Sequence, residues 1–215
     1  MSGASEIPDA WPPPDADKHS NPVKGTVVPL FPLPNLFLFP GTLMPLHIFE
    51  PRYTRMVEDC LDGPGRIAVG AVLESHHQDL QGAPPFFPTA GLGEIAKHER
   101  LPDGRFLIVL AGLARVRIRE VQSTQPYRQV EAVLLREVPP SKAESVLLAK
   151  KLRAALVARA PELVQLPEGM PVGHLADLLI LRLGLLQRQA EDLYARLDVA
   201  DRATRALIEH ARTSV

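Results

Sequence analysis

The apolar positions of the chain change their period at Pro139-Pro140. Upstream they alternate in twos or form short runs, and downstream they recur every third or fourth residue. Period two belongs to a strand with one buried face, and the longer period to a helix with one buried stripe. Upstream, Val27 to Phe31, Leu36 to Phe39 and Leu43 to Phe49 are short extended candidates, Arg66 to Leu73 is a clearer strand and Gly93 to His98 a weaker one. Arg105 to Leu110 and Ala114 to Val121 are stronger, with Pro102-Asp-Gly104 as the turn before them, and Tyr127 to Glu137 closes the set. One helix interrupts this series. Pro51 suits a first helical position, Tyr53, Met56, Val57, Cys60 and Leu61 share a face, and Gly63 stops the run.

Downstream, Ser141 and Glu144 form a capping-box signature for a helix whose apolar face is Val146, Leu147, Leu152, Leu156 and Val157, ending before Pro161. Val172 to Leu183 and Leu186 to Arg196 predict two more helices, and Asp198 caps a last one reaching Ala211. The short connections imply helices that fold back on one another. The chain therefore reads as α+β, with a β-rich domain over 26–138 followed by a helical bundle over 139–215.

Proline qualifies the first part of this picture. Positions 29, 32, 34, 40, 45 and 51 lack a backbone donor, so the segment is neither a regular helix nor an uninterrupted central strand. Residues 1–25 combine Glu6, Asp9, Asp15 and Asp17 with five prolines, and without an apolar core to offset ordering they read as a disordered tail, not a signal peptide. Trp11 is read as an incidental apolar residue of that tail, with a docking anchor as the alternative.

Composition narrows the classes of function. The 46% apolar content of 215 residues suffices for a sizeable core, and no apolar run is long enough to span a membrane. A formal net charge of -1 and a pI near 6.7 supply no global field for nucleic acid or an anionic membrane. The single cysteine, Cys60, excludes an internal disulfide framework, fits a reducing cytoplasm and sits on the helix face expected to be core. His76-His77 lacks supporting ligands and reads as a solvated loop, so no metal or cofactor is expected.

Candidate catalytic groups also read as structural. Among His47, Glu50, Arg52 and Tyr53, Glu50 stands just before Pro51, where its carboxylate would accept from free helix amides, and Arg52 would pair locally. Ser141-Lys142 is a cap with a diverging neighbour, not a nucleophile and base. Pro84-Pro-Phe-Phe-Pro88 is either a satellite core cluster or a peptide-docking loop, which makes Phe86 and Phe87 candidate binding residues. Arg115, Arg117 and Arg119 share one strand face, either as a solvated stripe or as a grip for acidic peptide or phosphate.

The strings Pro29-Leu-Phe-Pro-Leu-Pro34, Leu38-Phe-Pro40-Gly41, Pro45-Leu-His-Ile-Phe-Glu-Pro-Arg-Tyr53 and Asp103-Gly-Arg105 resemble the N-terminal substrate-binding domain of Lon proteases. Arg188 to Arg202 resembles the helical extension of the same family, so the resemblance covers about residues 26 to 211. It departs at Gly91-Leu92 and at Gly112-Leu-Ala-Arg115-Val116. The resemblance implies a PUA-like β pseudobarrel with one inserted helix and a helical bundle, in a bacterial-type member that stands alone. The sequence contains no Gly-x-x-x-x-Gly-Lys-Ser/Thr loop to hold phosphates, and no Ser-Lys peptidase module is recognised, so no catalytic activity is expected. The implied role is binding of unfolded or apolar polypeptide segments, in association with a separate protease or chaperone. RNA binding is the alternative, because PUA-like barrels include RNA-binding members, and the near-neutral charge argues against it.

Overall fold

The structure is a computed structural model that describes residues 25–76 and 82–213. In chain order its elements are β1 (Thr26–Pro34), β2 (Leu43–Ile48), α1 (Pro51–Leu61), β3 (Arg66–Val72), β4 (Thr89–Arg100), β5 (Phe106–Val121), β6 (Gln129–Leu134), α2 (Lys142–Arg159), α3 (Val172–Arg182), α4 (Gln187–Tyr194) and α5 (Val199–Arg212). The strands form one sheet in the order β2-β5-β4-β3-β1-β6, and an added β5–β6 pairing closes five of them into a small barrel. Trp11 and His77 lie outside the described residues. His76 ends a single 3-10 turn, with its Nδ1 2.9 Å from the Ser75 hydroxyl.

Proline shapes β1 without ending it. Residues 26–29 pair antiparallel with β6, and residues 30–34 pair parallel with β3. The strand changes partner after Pro29, so each of its prolines has one neighbouring strand and the missing donor breaks no second ladder. Leu36 to Phe39, expected as another strand, makes no ladder. It crosses the β4–β5 hairpin and buries Leu38 and Phe39.

β4 and β5 are longer than their apolar runs suggest. The two predicted strands at Arg105–Leu110 and Ala114–Val121 are one strand of 16 residues, bent by register shifts opposite Leu92/Gly93 and Ile95/Lys97. The bend lets β5 pair with β2 through its first half and with β6 through its second. Gly104, at φ 86°, turns the β4–β5 hairpin, as Pro102-Asp-Gly104 predicts.

Two cores share the β1 and β3 strands. Val28, Leu30, Ala68, Val116, Ile118 and Val130 fill the barrel, while Phe31, Ile67 and Val69 point the other way into a second core with α1. Burial of both faces explains the near-continuous apolar runs of these strands. The inserted helix α1 lies outside the barrel: Tyr53, Met56, Val57 and Cys60 pack in the second core with Ile48, Phe106 and Ile108.

The bundle forms as the period predicts, with one exception. Glu144 N donates to Ser141 Oγ at 3.3 Å and Ser141 N to Glu144 Oε2 at 3.0 Å, completing the capping box of α2. Asp198 caps α5 through Asp201 N at 2.9 Å. The buried face of α2 is Leu148, Leu152, Ala155 and Leu156, so Val146, Leu147 and Val157 of the predicted face lie outward. The joint after Pro139-Pro140 is held down, since Val138 N donates to Leu197 O and Val199 N to Val138 O.

Candidate functional site

Three surfaces gather the residues that the sequence singles out. The first is β2. Its pleat turns Leu43, Pro45 and His47 to one side, and Phe49 follows with its ring 5.8 Å from that of His47. The register sets His47 opposite Leu107 of β5. Leu43, Phe49 and Leu107 are 68%, 61% and 42% exposed, which makes this outer face a solvent-facing apolar strip. Among the described residues β2 pairs only with β5, and Pro45 interrupts the donors of its other edge.

The second surface begins where α1 starts. The Glu50 carbonyl accepts from Tyr53 N and Thr54 N, both at 2.9 Å. The Glu50 carboxylate makes no cap, contrary to expectation, because Arg52 Nε holds its Oε2 at 2.9 Å. The Arg52 guanidinium also lies 4.6 Å from the centre of the buried Tyr53 ring. These residues are therefore an anchored corner, and His47 points away from them on the β2 face.

That corner borders an open groove of about 950 Å³, whose far wall is the β5–β6 turn at Gln122 to Pro126. Arg128 grips the Glu120 carboxylate through Nε at 2.6 Å and a terminal nitrogen at 2.7 Å, and donates to Pro84 O at 2.7 Å. This pairing holds the Glu120 carboxyl below the usual carboxylate range. Arg128 also lies 4.8 Å from the centre of the Phe86 ring. The aromatic loop is thus tied to the barrel, with both phenylalanines half-buried.

The third surface has become an interior. Phe87 stacks on Phe37 at 6.4 Å, and Phe37 meets Tyr194 of α4 at 5.1 Å. Beside this stack Arg115 is buried, donating to Tyr194 O at 2.8 Å and to Glu137 and Asp177, each at 2.7 Å. Arg202 of α5 approaches the same carboxylates, at 2.8 Å from Glu137 and 3.0 Å from Asp177. Burial pushes the Asp177 carboxyl up against the pull of both guanidiniums. Gln187 donates to Val72 O at 2.5 Å and Tyr194 to Leu38 O at 2.8 Å, completing the seam between barrel and bundle.

The expectation of a solvated arginine stripe therefore fails at Arg115. Val116 and Ile118 face the barrel interior, so Arg115 does point outward, but the bundle covers it. Arg117 and Arg119 remain exposed, with Arg119 paired to Glu131 at 2.7 Å. The candidates Phe86, Phe87, Arg115 and Arg117 are not gathered into one site. Pro40 and Gly41 belong to the crossing over the hairpin, where Gly41, at φ 74°, donates to Gly112 O at 2.8 Å.

Two groups of residues are not legible as functional in the sequence. Leu43, Phe49 and Leu107 were legible only as strand residues, because alternation identifies a face without saying what covers it. Asp177 carried no local signal, since its Arg115 partner stands 62 positions away. Among the described residues no group of three or more His, Cys, Asp or Glu is placed to hold a metal, and no helix is long and apolar enough to cross a membrane.

A small closed barrel, extended by β2 with its apolar outer strip and joined to a helical bundle, defines a fold of mixed α+β class. Comparison with known proteins carries this further. Residues 27–210 match the family model described as the ATP-dependent protease La (LON) substrate-binding domain. The chain belongs to that family. Lon protease 2 of Sorangium cellulosum is 30% identical over 205 residues, covering 88% of this chain and 24% of that protein. Lon protease of Roseiflexus castenholzii is 29% identical over 195 residues, covering 84% and 23%. The chain thus spans about a quarter of the length of these relatives.

Solved structures agree on the fold. The N-terminal domain of Mycobacterium avium complex Lon protease superposes with a TM-score of 0.68 at 19% identity, covering 86% of this chain and 98% of that one. The Lon N-terminal domain protein from Xanthomonas campestris gives 0.62 at 22%, covering 85% and 98%. The PUA-like barrel with its helical extension, expected from the resemblance, is the fold observed. The family match is to the substrate-binding part of Lon and not to its ATPase or peptidase parts.

Proposed function

We propose that this protein binds unfolded or apolar polypeptide segments through the outer face of β2, as a non-catalytic accessory to a separate protease or chaperone. The observation that carries this reading is the strip Leu43, Pro45, His47, Phe49 and Leu107, where three large apolar side chains stand in solvent on one sheet face. Covering an exposed leucine or phenylalanine contributes about 2 kcal/mol, so a few such contacts supply useful affinity without demanding one partner sequence. Pro45 works against simple strand addition, so recognition rests on side-chain burial. The rival reading, RNA binding, is disfavoured by the apolar strip and by the net charge of -1.

The test uses a reduced, alkylated, fluorescently labelled polypeptide and measures its anisotropy on titration. Leu43→Glu with Phe49→Glu is expected to weaken binding by about tenfold or more, with circular dichroism unchanged because both residues are exposed. Binding that survives this pair but falls with Phe86→Ala and Arg117→Glu would move the site to the β4–β5 side. Retention of RNA at low salt, with no binding of the unfolded polypeptide, would overturn the proposal.

A further inference from the structure

The exposed side of α2 carries an apolar strip among its charged residues. Leu148, Leu152, Ala155 and Leu156 face α3 and α5 in the bundle core. On the opposite side Val146 and Leu147 are 75% and 55% exposed, and Ala154 and Val157 continue the same strip. A helix that packs on one side only ordinarily carries polar residues on the other, as α5 does with Thr204 and Arg205. Apolar strips on both sides belong to a helix covered on both sides, and among the described residues nothing covers this one.

We infer that the outer face of α2 docks an acidic amphipathic helix of a second protein. Charge selects this occupant. Lys150 stands in the middle of the strip and Lys151 on its edge, both exposed and with no carboxylate pairing them among the described residues. In a symmetric pair of copies, a two-fold axis through the middle of this strip would press Lys150 against its own copy, and like charges so placed oppose pairing. A partner helix with an apolar stripe and central carboxylates removes that conflict. The strip carries no aromatic anchor of the kind that seats a helix on a lipid surface. Val146, Lys150, Ala154 and Val157 repeat at the spacing of helix-in-groove contacts, with Ala154 leaving room for close approach.

The probe is a pair of lactam-stapled peptides about five turns long, with one shared leucine-alanine stripe and either glutamates or lysines beside it. Fluorescence anisotropy is expected to show the glutamate peptide binding about tenfold or more tightly than the lysine peptide. Val146→Glu with Leu147→Glu should abolish that binding, and Lys150→Glu with Lys151→Glu should reverse the preference. Both pairs are exposed, and unchanged circular dichroism with an unchanged unfolding midpoint would verify that each variant folds. Three results would overturn the inference: no difference between the peptides, binding indifferent to both variant pairs, or a dimer in sedimentation that Val146→Glu with Leu147→Glu dissolves. The last would assign the face to a second copy.

Discussion

Arg115 shows how far a single residue's surroundings outrun its local pattern. Two guanidiniums and two carboxylates meet around it, so the seam is electrically balanced although Arg115, Arg202 and Asp177 are all buried. A buried pair of this kind contributes little net stability by itself, yet losing one member leaves its partner charged in a poor solvent. Cys60 is the simpler case, because its core position was legible from helical spacing alone. Burial pushes its thiol up to about 11, against an ordinary value near 8.5. A folded state that holds a proton more tightly than the unfolded chain loses that advantage as pH rises through the interval. The wild type should therefore lose urea stability relative to Cys60→Ala between about pH 8.5 and 11, and show no such relative change below pH 8. Consistently, iodoacetamide at pH 8 should label Cys60 only after unfolding.

At the level of elements, glycine decides how the chain crosses itself. A Cβ at Gly91 would collide with Leu38 O and one at Gly112 with Phe39 O, so both residues must be bare for residues 38–39 to lie across the β4–β5 hairpin. Both glycines thus carry the crossing. Gly112→Ala is expected to cost about 1 to 3 kcal/mol in chemical denaturation, because the atom it meets is backbone and cannot rotate away. Gly169→Ala, which meets nothing within 4 Å, serves as the control and should stay within about 0.5 kcal/mol. Element type was legible wherever a cap, turn or period was local, as at Ser141, Gly104 and Pro51. Leu36 to Phe39 reads as a strand and forms a crossing, because apolar residues in a strand and in a buried crossing make the same short run.

For the whole molecule, the β region and the helical bundle have their own cores but are joined across a shared seam. Phe39 from the β region packs in the bundle core, and Arg115, Gln187 and Tyr194 tie the same parts together. We expect barrel and bundle to unfold in one transition, with hydrogen exchange reporting equal opening free energies for slow amides in both. Arg115→Ala should lower that common value by about 3 to 5 kcal/mol, by stranding Asp177. Slow amides in the bundle that keep their protection while the barrel loses it would show that the two parts are independent.

The sequence by itself determined most element types, the change from strands to helices after β6, the capping of α2 and α5, and through its motifs the family. These depend on contacts between near neighbours in the chain, which periodicity and turn chemistry record. Tertiary structure alone decided that Arg115 is interior, that β1 and β3 feed two cores, and that among the described residues nothing covers the outer faces of β2 and α2. Each of those outcomes depends on which distant segment comes to lie over a given surface, and a pattern of alternation shows where a side chain points but not what covers it.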